Sequence, residues 1–420
     1  MTSYYKDKKV VVIGLARSGI AAVNLLQEAG AKVFVTDSSS NDKLKELARG
    51  LTRDGIKVEL GAHTLDFIRD KDLVVVSPGV SDTSQAIIWA QEFSIPIISE
   101  IELAWQLMPQ AEVVAITGTN GKTTVTSLIA KVLEADGKKA HTLGNIGKPF
   151  SREIGRIRAG DFVSLEVSSF QLERIVKFKP RVAVILNFTP DHLDRYKDMP
   201  EYLFAKKRVF LNQDENDYLV LNYDDLTLRA LAKEAKARVI FFSAQNNPDS
   251  LNPNQLAVIA AARALGISEN ICGEVFRNFK GVEHRLEQVR VFKDIEFIND
   301  SKATNVDSAV WALRNTRKPA IMIAGGRDKN SDYGTISDLI KEKVKLLVLI
   351  GEAKEKIRSA LGGVLPIKEA ATLDEAINVS YAQARGGDCV LFSPMCASFD
   401  MFENYEHRGK VFKEIVNKLK

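Results

Sequence analysis

Residues 115–124, Ala-Ile-Thr-Gly-Thr-Asn-Gly-Lys-Thr-Thr, have the composition and order of a loop that binds a nucleoside triphosphate. Two glycines allow the backbone to turn tightly and to present successive N–H groups to an anion. Lys122 adds a full positive charge, and Thr123 directly after it offers a hydroxyl to Mg²⁺. The usual template has a glycine where this chain has Ile116, so the loop is shortened. We predict from this stretch that the chain binds ATP.

Glu166 and His192 are two further side chains whose chemistry suits a site for metal and phosphate. Glu166 lies within or at the end of the apolar run 162–167, and His192 belongs to the polar turn 188–194. Mg²⁺ prefers oxygen ligands, so Glu166 is the better candidate ligand and His192 the less usual one. Each also has a structural alternative, Glu166 as an acid that ends a strand and His192 as a turn or capping residue.

Short apolar runs that alternate with longer amphipathic stretches must position these side chains. Residues 113–116 predict a buried strand before the loop, and residues 125–133 predict a helix after it. This alternation favours parallel sheets covered by helices. Ligands gather at the carboxyl ends of parallel strands, so we expect Glu166 and His192 to face the phosphates bound by the loop.

The first segment of the chain predicts a second unit of the nucleotide-binding type. Residues 9–14 predict a strand, the turn 14–19 leads into a helix, and residues 32–37 predict the next strand. Asp37 stands where a ribose contact is usual, whereas Ala16 replaces the middle glycine of a dinucleotide fingerprint. Three interpretations stay open here: a nucleotide or diphosphate site, a βαβ unit whose glycines serve only packing, and the use of NAD.

Four apolar runs end in polar residues within the segment that begins near Gly281. They cover residues 296–305, 320–329, 346–352 and 388–400. Each predicts a strand followed by a polar turn, and together they favour a second binding face. The alternative is four ordinary solvated loops.

Composition excludes several classes of protein. The 420 residues predict about three domains, and the apolar fraction of 45% is ordinary for a soluble protein. Lys and Arg number 58 against 54 Asp and Glu, without a basic tract, which argues against a nucleic-acid partner. No apolar run approaches about 18 residues and no signal-peptide core precedes the first strand, so we expect no membrane insertion. Three cysteines without metal spacing predict reduced thiols and a cytoplasmic location.

Several motifs in sequence order resemble the Mur ligase family over nearly the whole chain. They are the phosphate loop, the strand with Glu166, the turn 191–194 and the stretch 299–305, Asn-Asp-Ser-Lys-Ala-Thr-Asn. That last stretch, together with residues 393–400 and 144–147, is similar to the D-glutamate-adding branch of the family. The resemblance implies an α/β chain with a Rossmann-like N-terminal domain at 1–108, a central P-loop ATPase-like parallel-sheet domain at 109–281 and a Rossmann-like C-terminal domain at 282–420.

The resemblance also implies an activity and its partners. The expected protein is an ATP-dependent amide-forming ligase that adds D-glutamate to UDP-N-acetylmuramoyl-L-alanine in peptidoglycan precursor synthesis. The reaction would proceed through an acyl phosphate and a tetrahedral intermediate, with two Mg²⁺ ions. We expect the ligase to be a monomer.

Roles around ATP and the metals follow from the resemblance alone. Lys122 and Thr123 would hold the β- and γ-phosphates and one Mg²⁺, and Glu166 and His192 would bind the second. Lys206 matches the family lysine that CO₂ carbamoylates, although adjacent Lys207 leaves the assignment open to a slip of one residue. The remaining expected ATP contacts are Gly118, Thr119, Asn120, Gly121, Thr124, Asn254, His284, Arg285, Asp300 and Lys302.

Two further groups are implied for the other substrates. The residues expected to contact the UDP-linked substrate are Leu15, Asp37, Ser38, Ser77, Pro78, Gly79 and, nearer the chemistry, Asn145. The residues expected to surround D-glutamate are Thr304, Lys329, Ser398 and Phe399, with Lys329 supplying the cation for its carboxylate.

One departure from the family pattern and three rival functions remain. Relatives normally have further strands between Phe242 and Asn254, where this chain has only the short connection 244–253, which puts the role of Asn254 in doubt. A nicotinamide dehydrogenase explains the first segment but not the phosphate loop. A non-ligase P-loop NTPase explains Lys122 but not the third segment. Folylpolyglutamate synthase, which shares the phosphate-loop motif, is the nearest enzymatic rival.

Overall fold

A computed structural model describes residues 4–245, 247 and 250–420. The expected absence of a signal peptide rests partly on residues 1–3, and the short connection includes 246, 248 and 249; these six lie outside the described residues. The chain forms two compact units, one of Met1–Phe188 with Pro200–Phe279 and one of Thr189–Met199 with Lys280–Lys420. Within the described ranges, no helix combines the length and the apolar character needed to cross a bilayer.

The first sheet belongs to the first unit and is parallel throughout, in the order β3-β2-β1-β4-β5. Its strands are β1 Lys9–Ile13, β2 Lys32–Asp37, β3 Lys57–Leu60, β4 Leu73–Val76 and β5 Ile97–Ser99. Its helices are α1 Arg17–Glu28, α2 Asp42–Arg53, α3 Leu65–Ile68, α4 Gln85–Glu92 and α5 Glu100–Leu107. Strands β1 and β4 are apolar on both faces because helices cover both sides of a parallel sheet.

The second sheet, also in the first unit and also parallel, has the order β11-β10-β9-β6-β8-β7. Its strands are β6 Glu112–Thr117, β7 Ala140–Gly144, β8 Phe162–Glu166, β9 Val182–Ile185, β10 Tyr218–Asn222 and β11 Arg238–Phe242. Its helices are α6 Lys122–Ala135, α7 Ser169–Leu172, α8 Met199–Lys207, α9 Leu226–Ala230, α10 Pro253–Ala264 and α11 Glu269–Asn278. Short 3-10 turns occur at Phe150–Arg156, Arg208–Phe210 and Leu231–Lys233.

The third sheet lies in the second unit, in the order β12-β13-β17-β14-β15-β16. Its strands are β12 Glu287–Phe292, β13 Ile295–Asn299, β14 Ala320–Gly325, β15 Val344–Ile350, β16 Ile367–Glu369 and β17 Cys389–Phe392. Its helices are α12 Val306–Asn315, α13 Ser337–Lys343, α14 Lys354–Leu361, α15 Leu373–Gln383 and α16 Tyr405–Lys418, with a 3-10 turn at Tyr333–Ile336. Among these six strands, β12 and β13 pair antiparallel and the other pairs are parallel.

These three sheets confirm the predicted α/β fold class. Buried cores line both faces of each sheet, and one continuous core joins the first sheet to the second within the first unit. The domain boundaries 1–108, 109–281 and 282–420 stay a prediction. The carboxyl ends of parallel strands β6, β8 and β9 lie side by side, which fixes where their terminal side chains meet.

Candidate active site

The phosphate loop connects the end of β6 to the start of α6. Gly118 and Gly121 have φ angles of 145° and 86°, which L side chains rarely adopt. A Cβ on Gly121 would lie 2.4 Å from Oδ1 of Asn254, so the second residue of α10 sits directly against the loop. Helix α6 begins at Lys122, and its first N–H groups form the partly positive end of the helix.

Lys122 and Lys206 both reach the same loop carbonyl. Lys122 Nζ donates to the Gly118 and Thr119 carbonyl oxygens at 3.0 and 2.8 Å, and Lys206 Nζ donates to Gly118 O at 2.8 Å. Lys206 is buried, with 1% of its surface exposed. Its neighbour Lys207 points elsewhere and bonds Glu234 at 2.8 Å. Of this adjacent pair, Lys206 is therefore the lysine that lies at the loop.

Glu166 ends β8 beside the loop and is 1% exposed. Its Oε2 accepts the Thr123 hydroxyl at 2.6 Å, and its Oε1 accepts the Asn145 side-chain amide at 3.0 Å. No cluster of three or more His, Cys, Asp or Glu that could hold a metal occurs among residues 4–245, 247 and 250–420. The Thr123 and Glu166 oxygens nevertheless fit Mg²⁺, which takes one or two protein oxygens and completes its shell with water and phosphate.

Two residues at the loop were missed by sequence reasoning. Asn187, just past β9, accepts the backbone N–H of Asn120 at 2.8 Å and donates to the Asn120 carbonyl at 3.0 Å. The Tyr202 hydroxyl lies 3.5 Å from the Thr119 hydroxyl, and the Tyr202 ring lies 4.4 Å from Lys206 Nζ. The only sequence signal for Asn187 was its place as the first polar residue after a buried run.

In the second unit, His192 and Lys329 meet at Asp191. Lys329 Nζ bonds Asp191 Oδ1 at 3.1 Å, the Asn305 amide bonds Oδ2 at 3.0 Å, and His192 Nε2 lies 3.6 Å from Oδ2. Burial opposes ionisation of Asp191, but the nearby Lys329 and His192 charges hold its pKa well below the usual range. Lys329 therefore stands beside a carboxylate of its own chain, and His192, with a φ of 57°, lies in a tight turn.

A second group in this unit surrounds the end of β13. Asp300 is fully buried, and burial raises its pKa to about 6 although the Arg285 charge opposes that shift. Its carboxylate accepts the Ser393 hydroxyl at 2.9 Å and the Leu286 N–H at 3.2 Å. Lys302 Nζ bonds the Tyr405 hydroxyl at 2.8 Å.

The remaining predicted residues of the second unit differ in exposure. His284 is buried and bonds the Asn299 amide at 2.9 Å, and burial lowers its pKa. Ser398 is buried, Thr304 is half-buried and Phe399 is 62% exposed.

The predicted contacts for the nucleotide-linked substrate gather at one end of the first sheet, except Asn145, which follows β7 of the second sheet and bonds Glu166. Asp37 Oδ2 accepts the Leu15 N–H at 2.7 Å, and the buried Ser77 hydroxyl donates to the Gly14 carbonyl at 2.8 Å. Ser38 is exposed, and the turn Ser77–Gly79 follows β4 directly. At the other turn, after β1, Arg17 rather than a lysine is the first residue of helix α1.

Three protein-family models match the chain, each over one of the three sheets. The Mur ligase MurD-like N-terminal domain matches residues 8–99, the Mur ligase middle domain residues 116–271, and the Mur ligase glutamate ligase domain residues 284–396.

Curated relatives match over the whole length. A protein of Koribacter versatilis named UDP-N-acetylmuramoylalanine--D-glutamate ligase is 41% identical, with 99% of this chain and 98% of that protein covered. A protein of the same name from Acidobacterium capsulatum is 42% identical, with 98% and 96% covered.

Solved structures share the fold at lower identity. UDP-N-acetylmuramate-alanine ligase MurC of Thermotoga maritima has a TM-score of 0.63 at 20% identity, covering 98% of this chain and all of that one. MurF ligase from the same organism, in complex with ADP, has a TM-score of 0.61 at 14% identity, covering 100% and 97%.

Proposed function

The chain belongs to the Mur ligase family and is an ATP-dependent ligase, and on that premise we propose that it joins D-glutamate to UDP-N-acetylmuramoyl-L-alanine in the cytoplasm, as a step in making peptidoglycan precursors. The observation that carries the proposal is the phosphate loop with Lys122 and the Thr123–Glu166–Asn145 cluster at the ends of β6 and β8. Full-length relatives at about 40% identity carry the name of this reaction.

A carboxylate and an amine do not form an amide at neutral pH without activation. ATP transfers its γ-phosphoryl group to the terminal L-alanine carboxylate, which yields ADP and an acyl phosphate. The amine of D-glutamate, in its neutral form, attacks the acyl carbon, and the tetrahedral intermediate loses inorganic phosphate, which carries away the proton that the nitrogen gives up as the amide forms. The protein contributes positioning and charge neutralisation.

We assign the loop residues to the phosphates. Lys122 and the N–H groups at the start of α6 neutralise the β- and γ-phosphates, with Gly118, Thr119, Gly121 and Thr124 shaping the cradle. Thr123 and Glu166 would hold Mg²⁺, and Asn145 keeps the Glu166 carboxylate oriented. Bound Mg²⁺ would offset negative charge on the transferring phosphoryl group.

Other substrate groups are assigned to the two remaining clusters. Leu15, Asp37, Ser38 and the turn 77–79 bind the UDP-linked substrate. Lys329, with Thr304, Ser398 and Phe399, binds D-glutamate, and His192 serves the metal or the acyl phosphate. Lys329 forms an ion pair with Asp191. A D-glutamate carboxylate must therefore bind Lys329 alongside the Asp191 carboxylate or displace it.

Lys206 is proposed to carry a carbamate. The neutral amine adds to CO₂ and releases one proton, which replaces a cation beside Lys122 by an anionic oxygen donor that suits a hard metal ion. Burial of Lys206 against the loop supports this assignment over Lys207. Labelling with ¹³CO₂ should give a carbamate NMR signal that Lys206→Ala abolishes and Lys207→Ala retains; an unchanged signal in Lys206→Ala would exclude this lysine.

The deciding experiment measures phosphate release from ATP with UDP-N-acetylmuramoyl-L-alanine, with D-glutamate, L-glutamate or no amino acid. Release that requires both the nucleotide-linked substrate and the D-isomer supports the proposal. Release without either substrate means an NTPase, and release with a folate in place of the UDP-linked substrate means a folylpolyglutamate synthase. A dependence on L-glutamate contradicts the assigned stereochemistry.

A further inference from the structure

We propose that Asn187 is a positioning residue, which holds the phosphate loop in its nucleotide-binding shape through the backbone of Asn120. The inference rests on the proposed use of ATP and adds a residue outside the phosphate loop. Asn187 follows β9, and its side chain meets the loop only because β9 pairs with β6.

Three hydrogen bonds join the end of β9 to the loop. The Asn187 side-chain amide pairs with both backbone groups of Asn120, at 2.8 Å to its N–H and 3.0 Å to its carbonyl. The backbone carbonyl of Asn187 also accepts the N–H of Thr119 at 3.1 Å. The side chain therefore pairs with Asn120 as a neighbouring strand would, and with its backbone carbonyl on Thr119 the residue holds two consecutive positions of the loop.

The pairing determines which N–H groups remain for phosphate. The Asn120 N–H is occupied by Asn187, whereas the first N–H groups of α6 have no intrahelical acceptor. Phosphate binding therefore falls to the donors from Gly121 onward, together with Lys122. Without Asn187, the Asn120 groups need other partners, and a rotated peptide there would turn the following donors away from the phosphates.

The segment that carries Asn187 is itself held in place. The Asn222 side chain donates to the Leu186 carbonyl at 3.2 Å, and Asp225 accepts the Phe188 N–H at 3.0 Å. A Cβ on Gly118 would lie 3.0 Å from Leu186 Cβ, which shows how closely the loop rests on this segment. The Asp225 bond and this packing hold the segment independently of Asn222, so Asn187 keeps a fixed position from which to hold Asn120.

The test compares Asn187→Ala with Asn222→Ala in the full-length protein. Asn222 is a matched control because its side chain bonds the same segment without contacting the loop. Calorimetric titration with Mg·ADP and Mg·ATP should show binding about tenfold weaker in Asn187→Ala, as expected when backbone groups lose their partner. The KM for ATP should rise correspondingly, while the KM for the UDP-linked substrate stays within twofold.

Asn222→Ala should bind both nucleotides within twofold of the wild type, even if its melting temperature falls. Asn187→Ser, whose side chain is too short to span both Asn120 groups, should lie between wild type and Asn187→Ala and covers the case in which the alanine variant does not fold. Equal nucleotide affinity in the wild type and both Asn187 variants would overturn the inference alone. A wild type that binds neither nucleotide would overturn the proposed function and this inference together.

Discussion

Two glycine turns in the first unit each join a buried parallel strand to a helix, but different side chains bond their backbones. The turn after β1 places the Asp37 carboxylate on the Leu15 N–H, and its helix begins at Arg17 without a side-chain cap. The turn after β6 places Lys122 at the first helical position, with Thr123 against Glu166. The same backbone plan thus brings a carboxylate to a turn N–H after β1 and a lysine to the turn carbonyls after β6.

The difference teaches that glycines alone do not make a phosphate cradle. In the first turn, a Cβ on Gly19 would lie 1.9 Å from the Gly14 carbonyl, so this glycine is required for packing. A carboxylate already occupies a turn N–H there, which disfavours a triphosphate but suits the hydroxyl groups of a sugar. The comparison favours a nucleoside site in the first turn and a triphosphate site in the second.

Lys122→Ala should have the largest effect, and it should impair the use of ATP without impairing binding at the first turn. Loss of this charge is expected to lower kcat/KM for ATP by about a thousandfold, because no other residue of the loop carries a full positive charge. Calorimetric binding of UDP-N-acetylmuramoyl-L-alanine should be retained. The control is Lys131→Ala, an exposed lysine of the same helix, which should keep wild-type rates. A Lys122→Ala enzyme with near wild-type turnover would refute the ATP assignment.

Glu166→Gln should have the second-largest effect. We expect kcat to fall about a hundredfold and the Mg²⁺ concentration needed for activity to rise. The amide keeps the size of the side chain but removes the negative charge that would hold the metal. Mg²⁺ titration of phosphate release measures both effects. Glu112→Gln, at the exposed start of β6, is the matched control. An unchanged Mg²⁺ requirement would remove Glu166 from the metal site.

Gly19→Ala should damage the first turn through packing rather than chemistry. The added methyl group would collide with the Gly14 carbonyl, at an expected cost of about 3 kcal/mol in the free energy of unfolding. Gly50→Ala is the control, since a Cβ there meets nothing within 4 Å and the residue lies inside α2. Urea unfolding should show the loss for Gly19→Ala only; equal stability of the two variants would mean that the turn can rearrange.

Asp37→Asn should have the smallest effect, raising the KM for the UDP-linked substrate about three- to tenfold while leaving the KM for ATP unchanged. The uncharged amide can still accept the Leu15 N–H, but it loses the stronger charge-assisted bond. Steady-state kinetics with each substrate varied in turn distinguishes the two constants. Asp54→Asn, an exposed residue after α2, should change neither. A rise in the KM for ATP would mean that the two turns are not independent.

Local sequence patterns were sufficient to predict most of the strands and helices and part of the candidate site. The strand predicted at 32–37 is β2, and the predicted end of a strand at Glu166 is the end of β8. Asn187 could not be assigned because its partner lies 67 residues away and becomes a neighbour only through the sheet order β9-β6-β8. Adjacent Lys206 and Lys207 could not be distinguished, since their burial depends on how α8 packs. The ion pair between Lys329 and Asp191 could not be predicted either, because only the folded structure brings the turn with Asp191 next to Lys329.

The three buried cysteines can report how fast each unit of the fold opens, because a buried thiol reacts only when it becomes accessible. Cys272 lies in the first unit and Cys389 and Cys396 in the second, all with at most 1% of their surface exposed. Burial raises the pKa of Cys272 to about 11 and those of Cys389 and Cys396 to about 12, so the native thiols are doubly protected from alkylating reagents. The rate at which each cysteine is labelled, read by peptide mass spectrometry, would time the transient unfolding of each unit separately, without any introduced probe.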